Sequence, residues 1–153
     1  MAKATNTNIN EDILAFLRQD ELDYPGAAQK FGAAAVPFLQ EITEGSDENL
    51  ATKAAYLLGY INGESAKGAL VAAAGNKFST VRIAAAYGAA SQDADTAKSI
   101  LGSLLSDYDH GVVKVTMRSI VEKKLGKSLA KELKAVQKSL PAELKAQAQR
   151  MIK

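Results

Sequence analysis

The chain has no cysteine, no tryptophan, three prolines and a single histidine. Without thiols there can be no disulfide framework, thiolate metal site or cysteine nucleophile, and the redox compartment is left open. No apolar run approaches the ~20 residues of a membrane span. The opening stretch MAKATNTNINEDILAFL lacks the basic-then-apolar order of a secretory signal. A cytoplasmic protein with no membrane span is therefore expected. There is also no phosphate-cradling glycine loop, no nucleophile-elbow serine motif and no paired-carboxylate spacing. These absences predict a binding protein and not an enzyme, with no cofactor and no metal.

What is present favours helix. Of the 153 residues, 47% are apolar and 24% charged, ordinary shares for a globular chain and enough to bury one core. Alanine supplies much of the apolar share. Ala, Leu, Lys and Gln are strong helix formers, and no alternating stretch of β-branched and aromatic residues suggests a strand. The net charge of +2 hides an asymmetry: residues 114 to 153 hold 11 Lys/Arg against Glu122, Glu132 and Glu143. The remaining residues carry an acidic excess. Such a dipole keeps both ends solvated and can steer a charged partner.

Helical segments are predicted from Asn8 or Asn10 to about Asp20, from Pro25 to Phe31, and over 33–44, 48–61, 65–74, 79–91, 95–105, 110–124, 128–138 and 141–152. Gly45, Asn62-Gly63 and Gly75-Asn76 separate successive segments with residues suited to left-handed caps. Pro141 suits a helix start.

Internal repetition is the most informative feature. Thr52-Lys-Ala-Ala-Tyr-Leu-Leu-Gly59 and Val81-Arg-Ile-Ala-Ala-Ala-Tyr-Gly88 share the pattern x-(Lys/Arg)-x-Ala-x-x-large-Gly, 29 residues apart. A weaker third copy contains Val113-Lys114-Val115-Thr116, with its glycine replaced and its register open by a residue or two. Asp47 precedes Lys53, and Asn76 precedes Arg82, by six positions. Asp107 and Asp109 bracket that position in the third copy.

The stretch Gly32-Ala-Ala-Ala-Val-Pro-Phe-Leu39, with Asp47, Lys53, Ala54-Ala55 and Leu58-Gly59, resembles the HEAT repeat over about residues 32 to 122. It is closest to the short form found in phycobilisome-lyase-like proteins. The resemblance implies an all-α fold: a short right-handed HEAT-like solenoid of antiparallel helix pairs in one domain, 1–153. Its repeats would be 32–62, 63–91 and 94–124, with a capping helical hairpin over 127–153. Such repeats serve scaffolds, adaptors, chromophore lyases and some DNA glycosylases, so the repeat type does not choose a function. The resemblance further implies that Asp47, Lys53, Asn76, Arg82 and Lys114 form a ladder between neighbouring repeats.

Two roles fit Lys53, Arg82 and Lys114: that inter-repeat ladder, or a cationic stripe for phosphate or carboxylate groups. On the 48–61 helix, Asn49, Lys53, Tyr56 and Tyr60 stand at i, i+4, i+7 and i+11, away from much of the apolar side. Tyrosine offers a large rigid contact area with a polar tip, so this stripe is a candidate partner-binding surface. Aligned positions are Phe78, Arg82 and Ala85, then His110, Lys114 and Met117, which a solenoid would set side by side on its concave face. The same tyrosines could instead pack between repeats. His110, in Asp107-Tyr-Asp-His-Gly111, could act as a base or help hold a cation, but helix capping by the aspartates explains the cluster.

Near the C-terminus Lys127, Lys131, Lys134 and Lys138 recur at helical spacing opposite Leu125, Leu129, Leu133, Val136 and Leu140. That cationic side fits nucleic acid or an anionic membrane surface, and equally the solvated outside of a capping helix. The leading expectation is a protein-binding module (adaptor, assembly chaperone or immunity-type protein) working through its concave face. Nucleic-acid binding through the basic C-terminal helices is the alternative, and a HEAT-like lyase a third.

Overall fold

The structure, a computed structural model, describes residues 2–153, with side chains from Ile9 onward. Its helices are α1 (Ala2–Leu17), α2 (Tyr24–Phe31), α3 (Val36–Thr43), α4 (Glu48–Leu58), α5 (Glu64–Ala73), α6 (Ser79–Ala89), α7 (Ala94–Leu104), α8 (His110–Lys123), α9 (Ala130–Val136) and α10 (Ala142–Ile152). Short 3-10 turns precede α3 and follow α9. No strand occurs among the described residues.

Helix starts follow from local chemistry. Four aspartates stand at N-caps, where a carboxylate oxygen accepts from otherwise unpartnered amides of the first turn. Asp23 accepts from Gly26, Asp47 from Leu50, Asp93 from Thr96, and Asp109 from both Gly111 and Val112. Asp93 also takes Lys67 Nζ of α5 at 2.9 Å. Its hydrogen bonds with Thr96, then with Lys67, hold its carboxyl well below the usual range.

The ends depart from sequence expectation in three places. α1 runs from Ala2, so Asn10 lies within the helix and caps nothing at its start; the side chain of Asn8 lies outside the described residues. The left-handed residues are Gly32, Gly63 and Lys124, not Gly45 or Gly75. α3 and α5 instead tighten at their ends, where Gly45 N donates to Ile42 O and Gly75 N to Ala72 O. The third departure concerns the C-terminal lysines. α8 stops at a left-handed Lys124 (φ 61°), and residues 125–129 form a turn, so Lys127 precedes α9 and Lys138 lies in the 3-10 turn beyond it. Only Lys131 and Lys134 sit on one helix. All four are exposed, while Leu125, Leu129, Leu133 and Leu140 are buried. Gly126 is required here, because a side chain would collide with the Met151 carbonyl of α10.

The helices form two layers around one core. α2, α4, α6 and α8 stack side by side, and α3, α5 and α7 stack behind them, with α3/α4, α5/α6 and α7/α8 as hairpins. Contacts within the first layer are the more extensive. Small residues make that possible: Ala84, Ala85, Ala86 and Ala89 of α6 are wholly buried. Leu39, Leu57, Leu58, Leu70 and Leu101 fill the space between layers. Each contributes about 2 kcal/mol relative to exposure.

Candidate functional site

Three of the first-layer helices bring tyrosines together. Tyr24 begins α2, Tyr56 lies on α4, Tyr60 just beyond its end, and Tyr87 lies on α6. The Tyr24 ring is parallel to Tyr60 at 6.0 Å and lies 5.9 Å from Tyr56, while Tyr56 meets Tyr87 edge-on at 5.8 Å. Phe16 of α1 extends the cluster, 6.0 Å from Tyr24 and 6.5 Å from Phe31. These are ordinary aromatic packing distances, and tilted or edge-on pairs contribute beyond their area.

The cluster is neither core nor free surface. Tyr24, Tyr56 and Tyr60 are half-buried and Tyr87 is 53% exposed. Burial, with Tyr56 and Tyr60 adding to it, pushes the Tyr24 phenol up to about 12. Tyr56 is raised by burial and then by Tyr87. Tyr60 is raised by burial, then by Tyr87 and Tyr56. All three therefore keep their protons at neutral pH, with hydroxyls able to donate or accept and ring faces left electron-rich.

A polar relay pins α4 to α6 beside the rings. Thr52 Oγ1 donates to Thr80 Oγ1 at 2.8 Å, and Thr80 donates to Glu48 Oε2 at 2.9 Å. Glu48, Thr52, Tyr56 and Tyr60 thus line one side of α4, facing Thr80 and Tyr87 of α6.

Other expected site residues fall elsewhere. Asn49, His110 and Lys114 are exposed, and Lys53 and Phe78 half-buried, with Lys77 Nζ lying 5.1 Å over the Phe78 ring. Ala85 and Met117 are wholly buried and cannot touch a partner. Their helices explain the difference. α6 is covered by α4 and α8 at its sides and by α5 and α7 behind, so beyond its first residue, Ser79, the stripe of Thr80, Ile83 and Tyr87 is what reaches the surface. On α8 the corresponding residues are Gly111, Lys114 and Arg118, all exposed.

Arg82 is structural. Its Nε donates to Asp107 Oδ2 at 2.7 Å and its Nη2 to Asp107 Oδ1 at 3.1 Å, with both side chains 7% exposed. Nη1 donates to the Asn76 carbonyl at 2.9 Å, and the exposed Tyr108 ring covers the guanidinium at 5.1 Å. One rung of the expected ladder is therefore present, joining the second repeat to the third. The others are not. Asn76, standing where Asp107 stands one repeat later, donates to Thr43 O at 2.7 Å, and Lys53 has no ion pair among the described residues. Asp47 serves only its own helix cap.

The third copy's register is settled by its turn. Asn76 Oδ1 accepts from Phe78 N at 2.9 Å, and Asp107 Oδ1 accepts from Asp109 N at 2.9 Å, the same local turn. Counting from it, the counterpart of Arg82 is Val113 and that of Gly88 is Ser119. Lys114 is one position out of the ladder and faces solvent. Ser119 replaces the glycine and donates its hydroxyl to Ala86 O across the helix pair at 2.8 Å.

Sequence reasoning found Tyr56 and Tyr60 but missed Tyr24, Tyr87 and Phe16. Tyr87 stands in the repeated motif beside Gly88, a legible signal. The pairing of Tyr24 with α4 had none, since it depends on how α2 packs.

Among the described residues no group of three or more His, Asp or Glu side chains is placed to hold a metal, and no helix is long and apolar enough to cross a membrane. Comparison with curated proteins gives no match. The model of the family described as HEAT repeats matches residues 35–120, which run from the start of α3 almost through α8 and take in all three hairpins. With that match spanning more than half of the chain and the paired, two-layered helices it describes present throughout, the chain belongs to the HEAT-repeat family.

Proposed function

We propose that this chain is a protein-binding module, not an enzyme, whose contact face is the tyrosine cluster of α2, α4 and α6. The observation that carries the reading is that four of the five tyrosines gather on one side of the solenoid, three of them half-buried and Tyr87 exposed. Rigid aromatic anchors with polar ends are what a protein interface uses for most of its affinity. HEAT repeats typically serve as interaction modules, and an adaptor, assembly chaperone or immunity-type protein would each need this shape with one adapted face. The resemblance of Gly32–Leu39 to short phycobilisome-lyase-like repeats supplies no reaction. The test is in-cell cross-linking in the host, comparing wild type with Tyr56→Ala and Tyr87→Ala: loss of the same cross-linked proteins in both variants supports the face, and unchanged cross-links refute it.

A second reading, nucleic-acid binding, is favoured by one observation. None of the 11 Lys/Arg from Lys114 onward is in an ion pair among the described residues, so the basic end is electrostatically unspent. Phosphate contacts would make affinity fall steeply with salt, and a titration at two ionic strengths separates this reading from the first.

A further inference from the structure

The tyrosine cluster lies in the acidic part of the molecule. Residues 1–62 carry nine Asp/Glu against four Lys/Arg. Glu48 stands on the same side of α4 as Tyr56, held by Thr80. Beside the rings, between α1 and α2, lies an open hollow of about 340 Å³ lined by Asp12, Phe16, Gln19, Asp23, Lys30 and Phe31. Phe16 lines the hollow and packs against Tyr24, so the hollow adjoins the cluster through that one ring. Among the residues lining the hollow, Lys30 carries the one positive charge, its Nζ 5.3 Å from the Phe31 ring centre. Arg82 is neutralised by Asp107; Lys30 and Lys53 remain as opposing cations in this part of the molecule and are outnumbered by its carboxylates.

We propose that the partner segment seated on this face is cationic, an arginine- or lysine-rich stretch of another protein with at least one charged head lying over the tyrosine rings; this rests on the contact-face reading above. Three physical terms point the same way. A cation over an aromatic ring within about 6 Å is attracted by the ring's negative face. Neutral phenol oxygens accept hydrogen bonds from guanidinium or ammonium donors. The surrounding carboxylates raise the local concentration of a basic segment and speed its arrival. An acidic segment would meet the opposite sign in the last term and gain nothing from the first.

The chain has no tryptophan, so its intrinsic fluorescence is tyrosine fluorescence, and four of the five emitters are in this cluster. The experiment titrates the whole chain with three synthetic peptides of equal length, alternating Arg with Ser, Gln with Ser, and Glu with Ser. The Arg peptide is expected to change the emission and to bind about tenfold or more tightly than the Gln peptide, with the Glu peptide weakest. Tyr87→Ala, at an exposed position, and a combined Asp12→Asn, Glu48→Gln variant should each weaken it about tenfold, ~1.4 kcal/mol, while Tyr87→Phe weakens it less. Circular dichroism establishes that each variant is folded.

Absence of Arg-peptide binding overturns the inference, as does binding that ignores both Tyr56→Ala and Tyr87→Ala, which would be diffuse attraction to an acidic surface. Tyr87-dependent binding of the Gln or Glu peptide at least as tightly overturns the cationic partner and leaves the contact face standing. Self-association that is abolished by Tyr87→Ala and by exchanging Lys127, Lys131, Lys134 and Lys138 for alanine would place a second copy on the face and overturn it too. The contact-face reading fails by a separate measurement, unchanged cross-linking in the tyrosine variants.

Discussion

Gly59 and Gly88 face each other where α4 meets α6, so closely that a Cβ built on Gly59 would lie 3.0 Å from Gly88 Cα. A Cβ on Gly88 would lie 3.1 Å from Gly59 Cα and 3.2 Å from Leu70. The repeated motif ends in glycine for this reason: backbone meets backbone and neither can yield. The same approach holds Tyr56 and Tyr87 at 5.8 Å.

Gly88→Ala should therefore destabilise the fold by up to about 2 kcal/mol, the ~1–3 kcal/mol of overpacking set against alanine's ~1 kcal/mol helix advantage. Gly68→Ala is the internal contrast. That position is in the middle of α5 with nothing within 4 Å of a new Cβ, so the same exchange should stabilise by ~0.5–1 kcal/mol. Urea denaturation of both variants decides it, and a stabilised Gly88→Ala would contradict the close approach.

Arg82 and Lys53, equivalent in the motif, should behave differently. Removing the Arg82 side chain leaves Asp107 buried without its bidentate partner, a loss of about 3–5 kcal/mol. Lys53→Ala removes no ion pair and should change stability by less than ~1 kcal/mol. Equal effects in equilibrium unfolding would show that the ladder runs through both.

Alkaline pH should loosen the fold at the cluster. Tyr24 is held at about 12 when folded, against ~10 in an unfolded chain. The folded state therefore binds its proton more tightly, so this contribution to stability is complete below pH ~10 and is lost as pH rises toward about 12. Tyr56 and Tyr60 shift in the same direction. Urea midpoints measured with phenolate absorbance should fall across that window, and Tyr24→Phe should fall less steeply. A flat midpoint would contradict the packing described for the rings.

Most of the helix boundaries and the repeated glycine at Gly59 and Gly88 were legible because they rest on local chemistry, aspartate caps, alanine-rich faces and a residue without a side chain; that the two glycines meet was not. What stayed hidden depends on distant geometry. Whether Ala85 or Tyr87 reaches the surface is set by the rotation of α6 between α4 and α8, which no short stretch encodes. The third repeat's register turned on one added structural detail, the Asp107 turn, which moved Lys114 out of the ladder and put Ser119 in the glycine's place. The C-terminal lysines looked continuous at helical spacing. The left-handed stop at Lys124 and the turn over 125–129 break that stripe.

The central claim is that the cluster is a contact face and not merely packing between repeats. The most direct test joins stability and affinity in one pair of variants, Tyr87→Ala and Tyr56→Ala, assayed against a partner identified by cross-linking. Tyr87→Ala should keep the wild-type unfolding midpoint within about 0.5 kcal/mol while weakening partner binding by ~2 kcal/mol, roughly thirtyfold; Tyr56→Ala should weaken it as much with a modest loss of stability. Unchanged affinity in both variants would contradict the account, and the tyrosines would then be inter-repeat packing alone.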